Sequence, residues 1–102
     1  MSVFQLDIPP HVAERIRHLH PDIKKSLKAA LRAVAEDPGR GQRLLRELKG
    51  CWKYRVRRFR VVYSVDRPRR LIRILAIGHR RKIYEEVAEL VKLQRLSSGQ
   101  NR

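Results

Sequence analysis

The sequence predicts an α+β fold: a small, mainly antiparallel four-stranded sheet with an N-terminal helical hairpin and a C-terminal helix. Three observations carry this. Apolar residues recur at helical spacing in the first third of the chain, alternate with charged residues from Trp52 onward, and return to helical spacing after Gly78. The expected order is β-α-α-β-β-β-α.

The first strand is read from Val3 to Ile8, which alternates weakly and stops at Pro9-Pro10, a pair unable to donate to a ladder. A helix follows, with Val12, Ile16 and Leu19 at helical spacing until Pro21 breaks it. The second helix starts near Asp22 and carries Ile23, Leu27, Ala30, Leu31 and Val34 on one stripe. Asp37-Pro38-Gly39 ends it. Both helices read as amphipathic scaffold whose apolar faces cover a sheet.

Arg40 to Gly50 reads as a basic connector, after which the period becomes two. Trp52, Tyr54 and Val56 alternate with Lys53, Arg55 and Arg57, and the run from Phe59 to Asp66 continues the pattern. Asp66 to Arg70 supplies a turn around Pro68, Leu71 to Ile77 the last strand, and Gly78 its end. The final helix carries Ile83, Val87, Leu90 and Val91 on one side. With 102 residues, the chain has room for one domain, read as residues 1–96, with residues 97–102 a flexible tail.

Charge is concentrated in one part of this plan. Of 25 Lys and Arg residues, 16 lie between Arg40 and Lys82 beside only two acids, Glu47 and Asp66, so that stretch carries +14 of the net +15. Such a skew builds a positive field into one region and attracts a polyanion, with nucleic acid the first candidate. No apolar run is long enough to cross a bilayer and the first ten residues do not resemble a signal peptide, so a cytoplasmic protein is expected. One cysteine, Cys51, precludes an internal disulfide. The spacing of His11, His18, His20 and His79 does not resemble a zinc site, so neither metal nor small-molecule cofactor is expected.

With Arg57 and Arg58 as a two-residue loop, Val56 falls opposite Phe59, Arg55 opposite Arg60, Tyr54 opposite Val61, Lys53 opposite Val62 and Trp52 opposite Tyr63. One face is then apolar or aromatic, and the other gathers Lys53, Arg55 and Arg60. Like charges facing each other on a sheet are destabilising, so the cluster calls for an anion such as phosphate. The loop itself departs from the usual Gly or Asn at positive φ. A second candidate is the strand-to-helix junction Ile77-Gly78-His79-Arg80-Arg81-Lys82-Ile83-Tyr84, where glycine permits a sharp exit and helix N–H groups favour anions.

These elements, with Leu48-Lys49-Gly50 leading into Trp52-Lys53-Tyr54-Arg55-Val56, then Phe59-Arg60-Val61-Val62-Tyr63 and the junction just quoted, resemble the RelE/ParE superfamily of bacterial toxins. The likeness is strongest to its RelE-like messenger-RNA endoribonucleases. It implies a metal-independent cut of mRNA in the ribosomal A site, by attack of a ribose 2′-OH on the adjacent phosphorus. By that resemblance Arg60 and Arg80 bind the phosphate, Lys53 adds positive charge, and Tyr84 is the proton acceptor or a base-stacking aromatic. Arg57, Arg58, His79, Arg81 and Lys82 are expected to contact RNA. Arg55 stands where related enzymes often carry lysine; an arginine stabilises charge but is a poor general acid. His79 is the candidate substitute for the leaving-group proton.

The resemblance also implies an acidic antitoxin that wraps the basic surface, and contacts with ribosomal RNA. Two rival readings share the fold: a ParE-like toxin that poisons DNA gyrase and cuts nothing, and a non-catalytic RNA-binding module. Against the last, Trp52, Tyr54, Phe59 and Tyr63 all fall on the expected core face.

Overall fold

The computed structural model describes residues 3–100. Its elements are β1 (Gln5–Asp7), α1 (Pro10–Arg17), α2 (Pro21–Glu36), β2 (Gln42–Arg43), β3 (Cys51–Val56), β4 (Phe59–Asp66), β5 (Leu71–Gly78) and α3 (Lys82–Gln100). The α+β class and the helical hairpin are as expected. Among the described residues the sheet has five strands rather than four, in the order β1-β5-β4-β3-β2. The additional one is β2, a two-residue strand inside the basic connector, whose polar Gln42 and Arg43 pair with Lys53 and Trp52. Only β1 runs parallel to its neighbour, β5.

Proline sets the helix starts. Pro10 and Pro21 both occupy the first turn, where a missing N–H costs nothing and a fixed φ favours the helix. The His20 ring accepts from the Asp22 N–H at 3.1 Å, capping α2. The α2 stripe of Leu27, Leu31 and Val34 is buried with Val12 of α1 against Tyr63, Ile72 and Ile74 of the sheet. At about 1.5–3 kcal/mol per fully buried aliphatic side chain this packing is what fixes the hairpin. Cutting Leu27 back to Ala would cost about 2–5 kcal/mol.

The opposite face of the sheet packs on α3. Cys51, Val62, Leu75 and Ala76 meet Ile83 and Val87, with Tyr84 and Val91 at the margin. Leu75 and Ala76 are adjacent yet face the same way, because the β4–β5 register shifts between Val62 and Tyr63 and leaves Leu75 as an extra residue. The α3 helix runs to Gln100, through four positions expected to be tail; residues 101–102 lie outside the described part.

The segment that carries β2 is held down from the core. Asp37 accepts from the Gly39 N–H at 3.1 Å, shaping a single 3-10 turn over Pro38–Arg40, and the buried Tyr63 hydroxyl donates to the Pro38 carbonyl at 2.7 Å. Burial is the main reason the Tyr63 phenol is pushed up to about 12, with Asp37 and Tyr54 adding to the rise and the Gly41 backbone opposing it. Gly41 is required here, since a Cβ would collide with the Tyr63 hydroxyl and lie 2.8 Å from the Lys53 carbonyl oxygen. This close approach lays Arg40 and Gln42 beside β3.

Candidate RNA-binding face

The β3–β4 hairpin has the register expected from its alternation, from Trp52 opposite Tyr63 through Val56 opposite Phe59. Arg57 opens its loop with φ 57, a left-handed conformation unusual for a side chain with a Cβ. Arg55 and Arg60 therefore sit directly across from each other, and Lys53 lies on the same face two residues along β3. Together with Arg40, Gln42 and Tyr54 they line a hollow of about 390 Å³ that has no acidic residue in its wall among the described residues. Arg40 and Gln42 were not singled out in the sequence, because a two-residue polar strand has no periodicity to reveal it.

Two of these arginines are oriented by main-chain carbonyls rather than by carboxylates. Arg55 Nε donates to the Arg57 carbonyl at 3.0 Å, and Arg60 donates to the His79 carbonyl at 3.2 Å. A guanidinium has five donors, so each keeps N–H groups for an anion. Among the described residues, none of Lys53, Arg55, Arg60 and Arg80 forms an ion pair with a carboxylate. No carboxylate among the described residues neutralises their positive charge.

Tyr84 enters from the first turn of α3. Lys53 Nζ lies 6.0 Å from the centroid of its ring, and its hydroxyl oxygen is buried with no hydrogen-bond partner among the described residues. A buried hydroxyl left unpaired costs about 1–3 kcal/mol. The arrangement thus places an unused donor-acceptor beside a cation.

The junction after β5 is built around Gly78. A Cβ there would lie 2.5 Å from Cγ2 of Ile83, so glycine is what lets α3 begin so close to the strand. His79 stands edge-on to Phe59 with centroids 5.4 Å apart. With Arg80 and Lys82 it lines a second hollow, of about 330 Å³, whose other walls include Arg15 and Glu86.

The expected site residues consequently fall into two groups. Lys53, Arg55 and Arg60 share the hairpin hollow with Tyr84 beside it, whereas His79, Arg80 and Lys82 share the junction hollow. Arg60 and Arg80, expected around one phosphate, line different hollows joined by the Arg60 bond to the His79 carbonyl. Arg57 and Arg58 are exposed at the hairpin tip and Arg81 is exposed before α3. Among the described residues no group of His, Cys, Asp and Glu could hold a metal ion, and no helix is long and apolar enough to cross a membrane.

Residues 7–84 match the family of ParE toxins of type II toxin-antitoxin systems. Solved structures share the fold. A RelBE toxin-antitoxin complex of Mycobacterium tuberculosis is 24% identical with a TM-score of 0.71, covering 78% of this chain and 94% of that one. The free state of an Escherichia coli RelE toxin variant is 23% identical with a TM-score of 0.72, covering 86% and 97%. The intact E. coli RelBE complex is 25% identical with a TM-score of 0.67, covering 76% and 96%. No curated protein matches the sequence.

Proposed function

The chain belongs to the ParE toxin family of type II toxin-antitoxin systems, and we propose that within it the protein is a metal-independent endoribonuclease that cuts mRNA in the ribosomal A site. The observation that carries this reading is the hollow in which Lys53, Arg55 and Arg60 converge, with no acid in its wall and no carboxylate partner among the described residues, beside a Tyr84 hydroxyl that is likewise unpaired among them. Bringing these cations together is unfavourable unless an anion separates them. A phosphodiester supplies it.

In this reading the ribose 2′-oxygen forms a bond to the adjacent phosphorus as the bond from phosphorus to the 5′-oxygen breaks, leaving a 2′,3′-cyclic phosphate and a 5′-OH. The phenolate form of Tyr84 takes the 2′ proton and becomes the phenol. Arg60 and Arg55 donate to the non-bridging oxygens, whose charge grows in the phosphorane, and Lys53 adds to the field. Arg80 is exposed with no side-chain hydrogen bond or ion pair among the described residues, so rotation of its side chain toward a bound phosphate breaks no contact of that kind. His79 is the residue of this group proposed to give a proton to the departing 5′-oxygen.

The partner that restrains this toxin is a cognate antitoxin, as the complexes of its structural neighbours from M. tuberculosis, E. coli and Staphylococcus aureus suggest. An acidic segment matches the net charge of +15. Ribosomal RNA is the second polyanion proposed to meet the basic face, with affinity falling steeply as salt rises.

One observation favours a second reading, a toxin that poisons DNA gyrase and cuts nothing. Arg60 and Arg80 line separate hollows, which a protein-binding surface uses as it stands, whereas a phosphate clamp needs Arg80 to rotate. Ribosomes translating a defined message, incubated with the protein, separate the two: A-site ends support the nuclease, whereas intact message with gyrase-dependent DNA breaks supports the poison.

A further inference from the structure

The junction hollow combines features that the phosphate-binding face does not use. Its floor is apolar, with Leu19, Phe59 and Ile83, while Arg80 and Lys82 stand as cations at its rim. Arg15 donates to the Ile77 carbonyl at 2.8 Å and lies 4.0 Å from the Glu86 carboxylate, so a guanidinium and a carboxylate are held side by side on one wall. Glu86 is the single acid among the described residues that line it.

We propose that this hollow is a nucleobase subsite that reads guanine in RNA, lying next to the phosphate held at Arg60. Apolar and aromatic surfaces accept the face of an unstacked base, and its edge is then read by hydrogen bonds. Guanine fits this wall because its Watson–Crick edge presents two adjacent donors, N1–H and the N2 amino group, to the two oxygens of Glu86. Its O6 is an acceptor for Arg15. Adenine and cytosine each turn a ring-nitrogen acceptor toward the carboxylate, and uracil offers a single donor between two acceptors. Lys82 meets the phosphate of the same nucleotide. The Arg60 bond to the His79 carbonyl makes the junction a thin partition, so one RNA strand crossing it engages both hollows.

The inference rests on RNA being the ligand of this toxin, as proposed above, but its test needs neither ribosome nor cleavage. The full-length protein, isotopically labelled, is titrated with 5′-GMP, 5′-AMP, 5′-CMP and 5′-UMP, with inorganic phosphate as control, and amide shifts are followed. GMP should move the amides of Gly78 to Glu86 and bind at least about fivefold more tightly than the other three, the low end of the discrimination given by a bidentate contact. Glu86→Gln, an exposed change, should reduce that preference to about twofold or less. Leu19→Trp, which fills the hollow, should weaken all four nucleotides.

Equal affinity for the four nucleotides overturns the proposal, as does a preference for GMP that survives Glu86→Gln. So do shifts confined to the hairpin hollow or reproduced by phosphate alone. If A-site cleavage is present while the GMP preference is absent, the subsite fails and the nuclease reading stands. If GMP binds as described while message stays intact, the subsite stands and the nuclease reading fails.

Discussion

The Arg60 guanidinium donates to the His79 carbonyl at 3.2 Å, tying β4 to the junction where β5 gives way to α3. Because Arg60 also lies across from Arg55 in the β3–β4 ladder, the same side chain belongs to the cationic hollow and to the wall between the two hollows. The proposed phosphate contact and a structural tie therefore depend on one residue.

Replacing Arg60 by Ala removes both. Cleavage should fall about 10²–10³-fold, the usual loss when a donor to developing oxyanion charge is deleted. The tie to the carbonyl contributes about 1 kcal/mol, so the melting temperature should drop by only a few degrees. Parallel kinetics and thermal melts check the split, and an Arg60→Ala variant that unfolds at room temperature contradicts it.

Tyr84→Phe should behave differently. The hydroxyl oxygen is buried and unpaired among the described residues, so deleting it relieves a cost of about 1–3 kcal/mol instead of adding one. Denaturant unfolding should show equal or greater stability, while cleavage falls at least about 10²-fold through loss of a general base. A variant that is both destabilised and fully active would remove Tyr84 from the mechanism.

Tyr63→Phe tests the anchor beneath the hairpin hollow. Losing the 2.7 Å bond leaves the Pro38 carbonyl short of its partner, which costs about 1–3 kcal/mol. The phenol is raised from its ordinary 10.0 to about 12 in the folded protein, so its contribution is complete below about pH 10 and is lost as pH rises through about 12. The loss is on the order of 3 kcal/mol at most. Stability measured against pH should fall across that alkaline window in the native protein, with a smaller decline in the Phe variant.

Arg57→Gly addresses the hairpin turn. With φ 57 the arginine holds a conformation disfavoured by roughly 1–2 kcal/mol for a residue with a Cβ, part of which glycine returns as unfolded-state entropy. A net gain of about 0.5–1 kcal/mol is expected in denaturant unfolding. The Arg55 bond is kept, since its acceptor is the main-chain carbonyl of residue 57.

The hairpin was legible in the sequence because alternation pins which side chains face the core. A one-residue slip would have put Trp52, Tyr54 and Val56 on the cationic face, and the observed pairs follow the apolar pattern throughout. The helices were legible by their stripes and prolines. β2 was not, as Gln42 and Arg43 have neither hydrophobicity nor length to mark a strand; they pair because Tyr63 and Gly41 bring the segment in. The separation of Arg80 from Arg60 was hidden for a similar reason. It depends on how tightly Gly78 lets Ile83 pack over the strand end, a three-dimensional approach with no periodic signature. Arg15 comes from a helix read as amphipathic scaffold and Glu86 from the final helix away from its apolar side, and only the tertiary contact places them on one wall.

The most direct measurement is mapping of mRNA ends on programmed ribosomes with the native protein and with Arg60→Ala. The account predicts cuts within the A-site codon ending in 2′,3′-cyclic phosphate, formed without added metal and reduced about 10²–10³-fold in the variant. Message that stays whole with the native protein, or cuts undiminished in the variant, would contradict it.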